Sequence, residues 1–340
     1  MAAPTQQRRS TTLAMVAESA GVSVATVSRV LNGRADVGAA TRERVERLLR
    51  QHEYRGRKRA PVRRSPATAR LELLLPDPLT AYSIEILNGV RDIGVPVVAG
   101  VFPDASIPPG LWARDLVAAG REAVIAVVAD LTDEYYQALV RAELPLVAAD
   151  PGTVPRPEVA SVGATNFAGG MAAAHHLLGL GHRRIAYVGG PPRAAHNQAR
   201  LHGLRAALEA AGCPPPPSYV KPGTFTHEHG LVAGSALLTL PEPPTAIFAA
   251  SDESASGVIE AARGLGRRVP EDLSVVGFDD TQVARFSSPP MTTIRQPLRE
   301  MGRVAARTAL RLAADESPDS FHIELATELV VRRSTAPLRG

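Results

Sequence analysis

Residues 13–32 read LAMVAESAGVSVATVSRVLN, a spacing that predicts a helix, a tight turn and a second helix. In the first helix Leu13, Val16, Ala17 and Ala20 fall at i, i+3, i+4 and i+7, which makes one apolar face. Gly21 stops it. Ser23 stands where a hydroxyl caps the open N–H groups of the second helix, whose apolar face is Val27, Val30 and Leu31. Val24, Ala25, Thr26, Ser28, Arg29 and Asn32 are left pointing outward. An exposed helix start of small, hydroxyl and guanidinium side chains, without an acid, suits the major groove of double-stranded DNA. Thr41 is expected to open a third helix whose Val45, Leu48 and Leu49 cover the first two. The expected unit is a three-helix helix-turn-helix domain over residues 10–56.

Charge agrees with a phosphate-binding end. Through residue 70 the chain has 15 Lys and Arg against 5 Asp and Glu, a net of +10, while the remaining residues carry 23 against 29, a net of −6. Such asymmetry marks a nucleic-acid module joined to a domain with another task; a solvated basic tail is the alternative. With 340 residues, 45% of them hydrophobic, the chain has material for two or three domains. Cys213 is the only cysteine, which excludes an intramolecular disulfide and a cysteine-based zinc site and fits a reducing compartment. The segment MAAPTQQRRSTT lacks an apolar signal-peptide core, and no run of 18 apolar residues occurs, so a cytoplasmic chain with no membrane partner is expected.

Residues 54–69 read YRGRKRAPVRRSPATA, a basic, proline-containing boundary assigned as a linker over 57–70. It can lie along DNA phosphates or serve as a solvated spacer. Beyond it, short apolar runs at 71–75, 95–101, 123–128, 144–149, 185–188, 245–249 and 273–276 read as strands buried on both faces. Amphipathic stretches at 83–92, 132–142, 167–178, 198–211, 228–239 and 254–264 read as helices. Strand-then-helix repetition predicts an α/β core of parallel sheets flanked by helices, long enough for two sheets. Ligands of such sheets bind beyond the strands' C-terminal ends, and two facing sheets make a cleft.

The helix-turn-helix, the linker and the segments GHRRIAYVGGP (181–191), RLHGL (200–204), AIFAASDESASGVI (246–259), VPEDLSVVGFDD (269–280) and PPMTTIRQP (289–297) together resemble the lactose-repressor/galactose-repressor family. The resemblance runs from about residue 12 to residue 333. It implies a bacterial transcription regulator with a periplasmic-binding-protein-like core for effector binding and dimerisation over 71–335. The family fold crosses between subdomains near Gly163, near Thr292 to Ile294 and near Ile323, giving an N-subdomain of 71–163 and 294–323 and a C-subdomain of 164–292 and 324–335. A short C-terminal end without heptads favours a homodimer over a coiled-coil tetramer.

Residue by residue, the resemblance places Val24 and Ala25 at the family's main base-reading positions. Both are apolar here, able to touch thymine methyls but not to form bidentate hydrogen bonds. Arg29 matches the family's arginine on the same helix, with a phosphate contact as its alternative. Thr12, Ser23, Thr26 and Ser28 read as phosphate anchors. The linker departs from the family pattern, with Gly56 and Arg57 where Pro-Asn is expected, Pro61 inside the would-be hinge helix and Arg63 in place of the wedging leucine. Proline within a regular helix costs ~3 kcal/mol, so the kink is in question, while Arg57 and Arg63 remain DNA contacts and Arg63 can enter a narrow minor groove.

Five positions match family effector contacts: Tyr82, Asp150, Arg200, Phe225 and Asp279. Carboxylates and a guanidinium bond hydroxyls while an aromatic ring covers a pyranose face, so the expected effector is a mono- or oligosaccharide, with a purine-type effector as the alternative. Asp150 and Asp279 could instead turn the chain at strand ends, and Tyr82 and Phe225 could be core. Asp252 is expected to support its loop. No G-x-S-x-G, P-loop or H-E-x-x-H motif is present. His175, His176 and His182, like His227 and His229, read as surface or packing residues. No enzyme activity, cofactor or metal is expected, and a sugar-binding protein without a regulatory role is the remaining alternative.

Overall fold

Gly21 adopts a left-handed backbone (φ +63°) and ends α1 (Leu13–Ala20). Its N–H donates to Glu18 O and that of Val22 to Ala17 O, the paired bonds of a Schellman turn. The chain then enters α2 (Val24–Leu31), where Ser23 Oγ accepts from Thr26 N at 3.1 Å as the expected cap. Val16, Ala17, Ala20, Val27, Val30 and Val45 form the buried core, with Leu48 and Leu49 partly buried beside it. The third helix, α3 (Ala39–Gln51), starts two residues before Thr41, because the backbone carbonyl of Gly38 accepts from Thr41 and Arg42. This is one of two compact units of the computed structural model, Met1–Val62 and Arg63–Gly340. The structure describes residues 13–31, 38–51, 71–76, 78–104, 106–128 and 131–338.

In the second unit β1 (Leu71–Leu75), α4 (Ala81–Arg91), β2 (Val97–Val101), α5 (Pro109–Ala118), β3 (Ala123–Val127), α6 (Asp133–Arg141), β4 (Leu146–Ala149) and β5 (Ala160–Ala164) build one half. The other half follows as α7 (Asn166–Gly179), β6 (Ile185–Val188), α8 (Ala195–Ala210), β7 (Val220–Lys221), α9 (His227–Leu238), β8 (Ala246–Ala249), α10 (Asp252–Gly264), β9 (Ser274–Asp279), α11 (Gln282–Phe286) and β10 (Thr292–Arg295). The chain then returns through α12 (Leu298–Ala313) and β11 (His322–Leu325) to the first half and ends in the second with β12 (Glu328–Val330). The first sheet, ordered β11-β5-β4-β3-β1-β2, is parallel throughout; the second, β12-β10-β9-β8-β6-β7, is parallel except for β12. Buried β1 and β3 have no exposed residue, as continuous apolar runs require.

Several expectations need correction. The run at 95–101 yields only β2, and it is not buried on both faces: it is an edge strand with Val98 and Val101 exposed. The crossings lie later than the residues near 163, 292–294 and 323. Strand pairing continues through Ala164, Arg295 and Leu325, so the chain changes halves at Thr165, at Gln296–Pro297 and just before Thr327. Thr165 and Thr327 run side by side, with Thr327 N donating to Thr165 Oγ1 at 3.0 Å. Among the described residues no helix is long and apolar enough to cross a membrane.

Helix pairs approach through facing glycines. A methyl group on Gly170 of α7 would collide with the Arg200 carbonyl on α8, and one on Gly203 of α8 with the Phe167 carbonyl on α7. Gly230 of α9 and Gly257 of α10 repeat the arrangement, as do Gly89 of α4 and Gly302 of α12. Gly179, on α7 as well, has open space around it. Gly170→Ala should therefore lower unfolding free energy by ~1–3 kcal/mol through overpacking. Gly179→Ala should be neutral or slightly stabilising by helix propensity. Urea denaturation of both variants checks this, and equal effects would show that α7 and α8 do not pack through Gly170.

Candidate functional site

The C-terminal ends of strands from both halves meet at one cavity of about 150 Å³. Three residues lining it have positive φ at or just after strand ends: Val128 (56°), Asp150 (51°) and Asp279 (115°). Such conformations are costly for residues other than glycine and gather at binding sites. All five residues expected at the effector site line this cavity. Tyr82, in the first turn of α4, donates its hydroxyl to Asp150 Oδ2 at 2.7 Å, both from the first half. Arg200, Phe225 and Asp279 come from the second. Tyr82 and Phe225 also pack against the hydrophobic cores of their own halves.

Arg200 is 2% exposed. Its Nε donates to Asn166 Oδ1 at 2.7 Å and its Nη1 to the Ala250 carbonyl at 2.6 Å. The guanidinium lies over the Phe278 ring, 3.8 Å from the centroid, and 5.7 Å from that of Phe225. Asp279 Oδ1 is 4.0 Å from Nη1 and accepts from Gln296 Nε2 at 2.7 Å. Burial pushes the Asp279 carboxyl well above the usual carboxylate range; Arg200 and Gln296 act against this, and Asp252 and Asp150 add to it. A carboxyl held toward its neutral form can donate as well as accept, which suits a ligand hydroxyl. Burial likewise raises the Tyr82 hydroxyl well above its ordinary value, with Asp150 contributing.

The first turn of α8 is pinned by Asn197, whose Oδ1 accepts from the Tyr187 hydroxyl and from Gly190 N, each at 2.8 Å. This aims Arg200, one turn further on, into the cavity. Asp252 has the supporting role expected of it. Its Oδ2 accepts from Thr281 N at 2.7 Å and its Oδ1 from Thr293 Oγ1 at 2.6 Å, and burial pushes its carboxyl up to about 7 against these bonds. It also borders the cavity.

His196, Ser251 and Gln296 are neighbours of the site that sequence reasoning missed. His196 stacks on Phe225 with ring centroids 5.3 Å apart, and Ser251 Oγ caps α10 while donating to the Phe225 carbonyl. His196 sits four residues before Arg200, one helical turn away, and that spacing is the signal that could have found it. Elsewhere, His182 is buried between Thr245, Ser274 and the Ala336 carbonyl, His176 bonds Thr335, and His227 bonds Ser256 and Glu260. Among the described residues no three His, Cys, Asp or Glu side chains converge to hold a metal.

On the first unit α2 presents Val24, 45% exposed, and the exposed Ser23. Thr26 is half-buried, its hydroxyl 2.9 Å from that of Ser23. Ala25, Ser28 and Arg29 lie on the same helix, with side chains outside the described residues. Thr12, Asn32, Arg57, Pro61 and Arg63 also lie outside them.

Comparison with known proteins connects these two units. Residues 12–56 match the family of bacterial regulatory proteins, lacI family, and residues 174–335 match the periplasmic binding protein-like domain. The HTH-type transcriptional regulator CelR of Thermobifida fusca is 35% identical over 97% of this chain and 99% of its own. A solved complex of transcriptional regulator CelR with cellobiose aligns with a TM-score of 0.71 and 34% identity over 95% of this chain and 99% of that one. The lac repressor dimer bound to operator and the anti-inducer ONPF aligns with a TM-score of 0.68 and 25% identity over 96% and 100%. The chain thus belongs to the LacI family of bacterial regulatory proteins, and is a DNA-binding transcription regulator, not an enzyme.

Proposed function

We propose that this regulator is a homodimeric, cytoplasmic repressor of carbohydrate-utilisation genes that leaves a pseudo-palindromic operator when a sugar fills the cleft. One observation carries the effector reading: Tyr82 and Asp150 from one half face Arg200, Phe225 and Asp279 from the other around a single cavity. Hydroxyl-bonding groups beside an aromatic ring fit a pyranose, and a ligand touching both halves favours their closure. The cellobiose held by the CelR structure and the dimer on operator formed by the lac repressor support the same reading. On the DNA side Ser23, Thr26, Ser28 and Thr12 anchor phosphates. Val24 and Ala25 meet base methyls, Arg29 and Asn32 reach base edges, Arg57 contacts DNA from the linker and Arg63 enters a narrow minor groove.

Affinity of the full chain for an operator recovered by in vitro selection should fall steeply with salt, with a logarithmic slope of about −5 or steeper. Deleting residues 1–70 should abolish binding, and Arg29→Ala should cost ~1–3 kcal/mol on the operator but little on random DNA. Fluorescence anisotropy reads all three. Retained affinity after the deletion would sink the regulator reading, and equal losses on both DNAs would make Arg29 a phosphate contact.

A carbohydrate effector at 100 times its dissociation constant should stabilise the native state by ~2.7 kcal/mol, visible as a thermal shift in a screen of sugars. Arg200→Ala should keep operator affinity near wild type and lose both the shift and the release from DNA. A variant that still responds at the same sugar concentration would show that Arg200 only supports the fold.

A further inference from the structure

The cleft is not the only cavity at the junction of the halves. A side chamber of about 780 Å³ lies along the first and third crossings, and Asp150 and His196 line both it and the cleft. The cleft alone, at about 150 Å³, is below the roughly 300–1,000 Å³ usual for small-molecule sites. The side chamber by itself lies within that range. The chamber, too, is built from both halves: the loop after β4 and strand β11 on one side, the starts of α7 and α8 on the other.

Its lining has the chemistry of a second sugar ring. Phe167, in the first turn of α7, lines the chamber and is 46% exposed. An aromatic face open to solvent in a cavity is a platform for the apolar face of a pyranose. Across from the helix starts, β11 supplies His322, whose Nδ1 is held by Ser161 Oγ at 2.9 Å, and Glu324. Both are exposed and can bond hydroxyls. Among the described residues no lysine or arginine lines the chamber, which favours a neutral ligand over an anion.

We infer that the effector is at least a disaccharide. Its first ring fills the cleft and its second lies in the side chamber, one face on Phe167 and its hydroxyls on His322 and Glu324. The linkage between the rings passes Asp150 and His196. This rests on the carbohydrate reading above and adds its size and direction. A second ring in the chamber also touches both halves, so chain length itself strengthens closure.

The test is calorimetric titration of the full chain with glucose, galactose, cellobiose, lactose and maltose. At least one disaccharide should bind about tenfold or more tightly than its component monosaccharide. Phe167→Ala should erase that advantage while leaving monosaccharide affinity within about twofold, and Glu324→Gln, on an exposed strand, should reduce it in the same direction. Equal affinity for mono- and disaccharides, or a Phe167→Ala loss shared by both, would overturn the second-ring site while leaving the carbohydrate reading intact. If no sugar binds, the carbohydrate reading falls and the second ring with it.

Discussion

A guanidinium keeps its charge at any pH the fold survives, so burying Arg200 requires partners that are already in place. The second half of the core is arranged to supply them. Asn166 at the start of α7 and the Ala250 carbonyl after β8 accept from it, and the Phe278 ring lies against its face. Asn166 reaches Arg200 only because Gly170 and Gly203 let α7 and α8 pack backbone to backbone. The bonds named use two of the five guanidinium N–H groups, and the cavity lies beside the rest. Asp279, held partly toward neutrality by its own burial, adds a weak Coulombic contact and not a tight ion pair. A ligand with several hydroxyls is a better partner for such a group than a second buried carboxylate, since it avoids a further desolvated charge.

Asp279 also connects this site to the chain's passage between halves. Its carboxylate accepts from Gln296, the residue at the second crossing, and α12 begins immediately after. The adjacent Asp280 has a fully buried side chain and accepts from Arg295 Nε at 2.7 Å and Arg332 Nη2 at 2.5 Å. Arg295 in turn reaches Glu328, just past the third crossing. Two consecutive aspartates thus face two tasks, one toward the cavity and one toward the crossings. Gln296 occupies one acceptor site of this carboxyl, so a ligand that draws on Asp279 shares the group with the segment that joins the halves.

Much of this was legible in the chain, for identifiable reasons. Apolar spacing and Gly21 define the helix-turn-helix because those signals are local. The parallel core was readable from alternating apolar runs and amphipathic stretches. What escaped was structure whose local signal is weak. Strand β5 reads ASVGA, small residues with a glycine, and β11 and β12 are partly exposed with glutamates in alternation. Helix α5 opens on Pro109-Gly110, which looks like a loop, whereas α12 carried a clear signal that was passed over, with arginines at 299, 303, 307 and 311 opposite a buried face of Leu298, Met301, Ala305 and Ala309. The five cleft residues rest on family resemblance, since nothing in spacing joins Tyr82 to Asp150 or either to Asp279. Phe167 depends on how helices seat against strands, which no linear pattern states, whereas His196 shares a helix face with Arg200.

The two halves also touch away from the crossings. Across the cleft, Ala195 N at the start of α8 donates to the Gly152 carbonyl after β4 at 2.7 Å. Such a bond contributes about 0.5–1.5 kcal/mol net. Thr165 and Thr327 also run alongside each other, at the crossings themselves. Where two arrangements of the halves are in equilibrium, a ligand shifts it by its difference in affinity between them. Moving such a system from 1:99 to 99:1 takes ~5.5 kcal/mol. A ligand bonding only Arg200 and Asp279 would bind either state alike and shift nothing, however tightly held. On the proposed reading, Tyr82 and Asp150 on the opposite wall are what give a ligand held by Arg200 and Asp279 its preference for closure.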